Sequence, residues 1–153
     1  MIIINKYNEF KKALRNIITK SQDFSDFFRN VKTIEDTKKE FRKELQMIVN
    51  KWARDDGHTH PPVYISYKPK ISLSGLYFSK YWTGGIVIFV LRSSSYPCDL
   101  EDLEVAEFDE IMDTLRHEYI HHILRNIGCD MQGQQHTPFF YKILKERFAK
   151  EEK

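Results

Sequence analysis

Apolar residues recur along the chain with a helical period at first and a strand period later, and the change falls near residue 60. Phe10, Leu14, Ile17 and Ile18 lie on one stripe, at the spacing a helix needs to bury one face, and predict a helix over about 5–20. Phe41, Leu45, Ile48, Val49 and Trp52 repeat that spacing and predict a second helix over about 34–54. Thr33 stands at its N-cap position, Glu35 and Asp36 fall in the first turn where the dipole favours acids, and Gly57 is a natural stop. After Pro61 and Pro62 come VYISYK, ISLSGLYFSKYW and IVIFVL, rich in β-branched and aromatic residues and divided by Lys-Pro-Lys and Thr-Gly-Gly turns. These are three expected strands. IVIFVL is apolar at every position and predicts a strand covered on both faces, whereas VYISYK alternates and predicts one nearer an edge. The loop SSSYPCDLED leads into a long expected helix from about 103 to Ile127, with Gly128 at its C′ position. Thr137 then reads as an N-cap with Pro138 in the first helical position, opening a last helix through Phe140, Ile143, Leu144 and Phe148.

The order is helix, helix, three strands, helix, helix, which is an α+β arrangement. A chain of 153 residues suits one domain, 1–153, divided into a helical N-terminal part (1–57) and a sheet with its following helices (60–150). Its 41% hydrophobic and 30% charged residues exclude the disordered and fibrous classes. The longest apolar run, Ile86 to Leu91, is six residues, far below the roughly 20 that span a bilayer. MIIINKYNEF lacks the basic start and long apolar stretch of a signal peptide, so a cytoplasmic protein without a membrane partner is expected. Cys98 and Cys129 form no CxxC pair and are expected to be two free, buried thiols.

A net charge of +2 conceals a segregation. Residues 1–54 hold 13 bases and 7 acids, and residues 99–113 hold eight acids and no base. The acidic run is expected to complement the positive end of the helix that follows it. The basic segment, with Lys11, Lys12, Arg15, Lys38, Lys39, Arg42 and Lys43, reads either as a solvated helix face or as a DNA surface. Tyr77, Tyr81 and Trp82 likewise read either as sheet packing or as base-stacking groups; a solvated helix face is preferred for the basic segment and sheet packing for the aromatics.

Four of the six histidines fall between residues 115 and 144. His117, Glu118 and His121 spell HExxH, a pattern that chance yields in about 2% of sequences of this composition. On a helix, residues four apart lie one above the other, so both imidazoles can reach one metal ion. Glu118, offset by one position, comes near the ion without binding it and is placed to act as a general base. Phe108, Ile111, Met112, Leu115, Tyr119, Ile120, Ile123, Leu124 and Ile127 cover one broad side of this helix, and His117, His121 and Glu110 the other, expected to look away from the core.

A catalytic zinc needs a third protein ligand. Ile127 and Leu124 stand where the metzincin spacing requires His and Gly, so that spacing is excluded. His136, fifteen residues after His121 and just before the Thr-Pro helix start, is the preferred third ligand, with Glu146 the alternative. Asp113, one turn before His117, is read as a solvated carboxylate rather than a partner of an imidazole. His122 is expected to be packed and hydrogen-bonded, and His58 and His60 to lie in a loop.

MDTLRHEYIHH (112–122) and QHTPFFYKIL (135–144) together resemble the SprT-like zinc metallopeptidases, whose Spartan-type members digest proteins crosslinked to DNA. The likeness covers about residues 60–150. It implies a zincin-like minimal metallopeptidase fold, a zinc ion on His117, His121 and His136, and Glu118 as general base in peptide hydrolysis. It further implies a protein or peptide substrate, with DNA as a candidate partner. The family usually has Gly after its third histidine, where this chain has Thr137. The competing expectation is a catalytically silent, zinc-stabilised DNA-binding or protein-interaction module.

Overall fold

The computed structural model describes residues 2–71, 73–80, 83–94, 98–129 and 136–149, with the side chains of residues 79, 80 and 83 left out. It is α+β, with several helices and a small three-stranded sheet. Helix α1 (Ile2–Lys20) buries Ile3, Tyr7, Phe10, Leu14 and Ile17 as its periodicity predicts. A short helix α2 (Phe24–Asn30) follows, which the apolar pattern did not signal. Its own cue is an Asp at each end of the first turn. Asp23 Oδ1 accepts from the Asp26 amide at 2.8 Å, and Asp26 Oδ2 accepts from the Gln22 amide at 3.0 Å.

Helix α3 (Glu35–Asp56) buries Phe41, Leu45, Val49, Trp52 and Ala53. Thr33 does not cap it. The chain enters through a 3-10 turn over Val31–Ile34, so no extended residue stands at the entry, and the Thr33 hydroxyl turns back to donate to the Asn30 carbonyl at 2.7 Å. At the other end Gly57 takes φ 72°, and the amides of Gly57 and His58 return to the carbonyls of Arg54 and Ala53.

The sheet runs in the order β1 (Val63–Ser66), β3 (Thr83–Phe89), β2 (Gly75–Lys80), with β1 parallel and β2 antiparallel to β3. The alternating VYISYK supplies an edge as expected, while the central strand takes in Thr83–Gly85, expected as a turn, and only the first four residues of IVIFVL, Leu91 lying in β4. The long ISLSGLYFSKYW run is strand only over residues 75–80. One face carries Val63, Ile86, Ile88 and Tyr77, all buried, against α3 and α4. On the other face Tyr64 is exposed and Val87 half-buried, so the centre is less covered than an all-apolar strand suggests.

Helix α4 (Phe108–Asn126) begins five residues later than expected. Asp99 and Asp102 cap a 3-10 turn over Leu100–Asp102, and β5 (Glu104–Val105) pairs with β4 (Leu91–Arg92). Burying Leu100, Leu103 and Val105 against the rest of the fold outweighs the helical pattern there. Only Asp109 and Glu110 of the acidic run therefore lie in the first turn of α4. Glu107, Glu110 and Asp113 pair with Lys11 (2.8 Å), Arg92 (3.1 Å) and Arg116 (3.0 Å). Gly128, at φ 80°, closes α4 as expected, with the Gly128 and Cys129 amides bonded to the carbonyls of Arg125 and Leu124. Cys98 is half-buried but Cys129, lying past this turn, is exposed, which corrects the expectation of two buried thiols. Ile127 is likewise exposed. Among the described residues no helix is long and apolar enough to cross a membrane.

Helix α5 (Pro138–Phe148) folds back along α4. Asp56 at the end of α3 ties the three helices together, its Oδ2 accepting from Tyr119 Oη at 2.6 Å and from Arg147 Nε at 2.8 Å. Beside it the rings of Trp52, Tyr119 and Phe148 pack on one another at centroid separations of 4.8 to 6.4 Å.

Candidate metal centre

His117 and His121 stand one turn apart on α4, their ring centroids 5.3 Å apart. The start of α5 brings in the third imidazole. Thr137 Oγ1 accepts from the Phe140 amide at 3.2 Å, which fixes where the helix begins, and His136 immediately precedes that cap. Its Nε2 lies 2.9 Å from His117 Nε2 and 3.1 Å from His121 Nε2, and one nitrogen from each ring falls within 4.8 Å of the others. Phe140, one turn into α5, seats its ring against all three, at 4.7 Å from His117, 4.6 Å from His121 and 5.0 Å from His136. The histidine face of α4 therefore does not look out to solvent. His121 is fully buried, His117 is half-buried, and α5 and β2 close over the side opposite the apolar one.

Burial pushes the pKa of His117 down to about 4, with the neighbouring His136 and His121 adding to the effect. His121 is pushed down to about 4 by burial and by His136. Both rings are therefore neutral near pH 7 and offer lone pairs. Two facing imidazole nitrogens can share only one proton, so three converging on one point match a cation better than a proton. An all-imidazole donor set suits a borderline transition metal ion such as zinc, and the residues present fit one.

Glu118 follows His117 directly and is 4% exposed. It lies between α4 and the edge strand β2. A side chain at Gly75 would fall 2.5 Å from Thr114 Cγ2 and 2.7 Å from the Val87 carbonyl, with Glu118 Cγ at 3.6 Å. The glycine is what lets β2 lie this close to the helix one turn before Glu118.

Behind the triad a polar chain fixes the sheet to α4. The Thr59 carbonyl lies 2.6 Å from His122 Nε2 and can only accept, so that nitrogen carries the proton. His122 Nδ1 then accepts from Tyr77 Oη at 2.8 Å, and burial, which pushes the ring's pKa down to about 4, keeps it neutral. The Tyr77 ring stacks on His121 at 6.5 Å and 21°. Tyr77 also lies over Gly84 of β3, where a side chain would occupy its place.

The three histidines preferred as ligands are thus brought together, and Glu118, next to His117 in the chain, is buried. Glu146 is not among them; it lines a separate hollow with Asp56 and His58. The Asp113 side chain is 79% exposed and paired with Arg116, as its solvated reading required. His122 is packed and hydrogen-bonded as expected, and His58 and His60 lie in the loop before β1. Sequence reasoning missed the roles of Phe140 and Tyr77 at the site. Phe140 was legible only as part of a helix stripe, and Tyr77 only as a strand aromatic. Tyr77 is 1% exposed and so is unsuited to base stacking, while Tyr81 and Trp82 lie outside the described residues. Part of the N-terminal positive charge is matched internally, Lys6 pairing with Glu40 at 2.5 Å and Lys38 with Glu35 at 3.2 Å. Compared with known proteins, the chain matches no family model, no curated protein and no solved structure.

Proposed function

We propose that this chain is a cytoplasmic, zinc-dependent endopeptidase of the zincin-like, SprT-like type. The observation that carries the proposal is the convergence of Nε2 of His117, His121 and His136, with the buried Glu118 next to His117 in the chain. The three imidazoles would hold the ion. Bound zinc supplies a Lewis acid that makes water a nucleophile near neutral pH.

Glu118 takes the proton that the attacking water gives up and delivers it to the departing amine, which its position one residue past His117 allows. Phe140 closes one side of the histidine cluster with hydrocarbon and limits water there. An extended peptide is aligned along β2, an edge strand of the sheet among the described residues, where backbone hydrogen bonds ask little of the side chains. The substrates are unfolded protein segments. The sequence resemblance extends this class to DNA-associated or DNA-crosslinked proteins.

The test is cleavage of an unfolded protein such as casein by wild type and by Glu118→Gln, each with its zinc content determined, with and without single-stranded DNA. Cleavage by wild type alone, with both proteins holding zinc, supports the proposal. Two zinc-loaded proteins that leave casein intact would rule out a general protease.

A further inference from the structure

A cleft of about 730 Å³ opens between α4 and α5 and has His117 in its wall, so it is continuous with the histidine cluster. That volume lies within the roughly 300–1,000 Å³ range of ligand sites and exceeds what one side chain fills. Its floor is apolar, from Tyr141, Leu144 and Phe148 of α5. Among the described residues its charged rim holds two cations and one anion, Arg116, Lys145 and Asp113.

The distribution of those charges is uneven. Asp113 Oδ1 accepts from Arg116 Nη1 at 3.0 Å, which uses the one carboxylate. Arg116 Nε is buried and has no hydrogen-bond partner among the described residues. Lys145 is exposed and forms no ion pair among the described residues. Among the described residues the rim therefore keeps a net positive charge above a hydrocarbon floor, directly beside a residue of the histidine cluster. Glutamate matches both parts, because its methylenes cover apolar surface and its carboxylate reaches the cations.

We propose that this cleft binds a short acidic stretch of the substrate flanking the scissile bond, with Lys145 as the principal specificity-determining residue and Arg116 supporting it. The proposal rests on the endopeptidase reading for its substrate class. The cleft's charge selectivity can be measured without turnover.

The experiment uses two fluorescent peptides of one sequence, differing only in whether glutamates or lysines stand at the flanking positions. Binding is measured by anisotropy to zinc-loaded Glu118→Gln protein and to the same protein carrying Lys145→Glu, an exposed position whose change spares the core; circular dichroism checks the fold. The expected result is roughly tenfold tighter binding of the acidic peptide, reversal of that preference in Lys145→Glu, and a smaller difference at high salt. Equal binding of the two peptides, failure of the acidic peptide to bind, or a preference indifferent to Lys145→Glu overturns the proposal. Cleavage of the same peptides by wild type reports separately on the peptidase reading. Lys145-dependent binding without cleavage would sink that reading and leave the cleft's selectivity standing.

Discussion

The hydroxyl of Tyr77, on the edge strand, lies 2.8 Å from Nδ1 of His122, the residue that follows the buried His121 on the central helix. This bond and the Thr59 carbonyl at the opposite ring nitrogen hold His122 between the sheet and the loop before β1. His122 thus ties β2 to the helix without taking part in the triad itself.

Removing that hydroxyl leaves the ring nitrogen buried without its donor. Tyr77→Phe is expected to lower unfolding free energy by about 1–3 kcal/mol, the usual cost of an unsatisfied buried polar atom. Urea unfolding of the two proteins measures it, and an unchanged midpoint would show that the bond contributes nothing.

Gly84 is needed by a ring on another strand. Gly84→Ala sets a methyl group where Tyr77 lies and is expected to cost about 1–3 kcal/mol through overpacking. Because the displaced ring stacks on His121, zinc affinity should fall with stability. Isothermal titration with zinc decides whether the two effects travel together.

Metal addition should separate the ligands from the scaffold. His136 is exposed and lies outside the core, so His136→Ala is expected to leave the metal-free melting temperature almost unchanged. Wild type should gain about 2.7 kcal/mol when free zinc is 100 times its dissociation constant, a gain reversed by a chelator and largely lost in the variant. Thermal melts with and without zinc check this, and an equal gain in both proteins would remove His136 from the ligand set.

Asp56 holds α3, α4 and α5 through one oxygen. Asp56→Asn takes away the charge that Arg147 meets and is expected to cost about 1–3 kcal/mol. Since α5 carries His136 at its entrance, hydrogen exchange should report faster opening of that helix before global unfolding.

For Glu118→Gln the proposed endopeptidase role predicts retained zinc with a drop in cleavage of about 100-fold or more. Zinc content and the initial rate on casein are read from one preparation.

The first and third helices, the edge strand β1 and the last helix were legible because each buries a face at a local period, and the central strand because its apolar run is continuous. The stop at Gly128 and the cap at Thr137 were legible for a similar reason, since both depend on residues a few positions apart. The entry to α4 was not. Its acidic lead is compatible with helix, and only the pairing of Leu91 with Val105 drew that stretch into a strand.

For the candidate site, the sequence by itself determined which residues could form a histidine triad. HExxH places two imidazoles and a carboxylate on one turn by helical geometry alone, and the Thr-Pro start fixes what precedes α5. Only the tertiary structure decided that His136 rather than Glu146 meets them, that Phe140 closes the cluster and that Tyr77 stands behind His121. Those relations join residues far apart in the chain. They depend on α5 folding back along α4 under the pull of Asp56 and the Trp52, Tyr119 and Phe148 rings, and no local period records that contact.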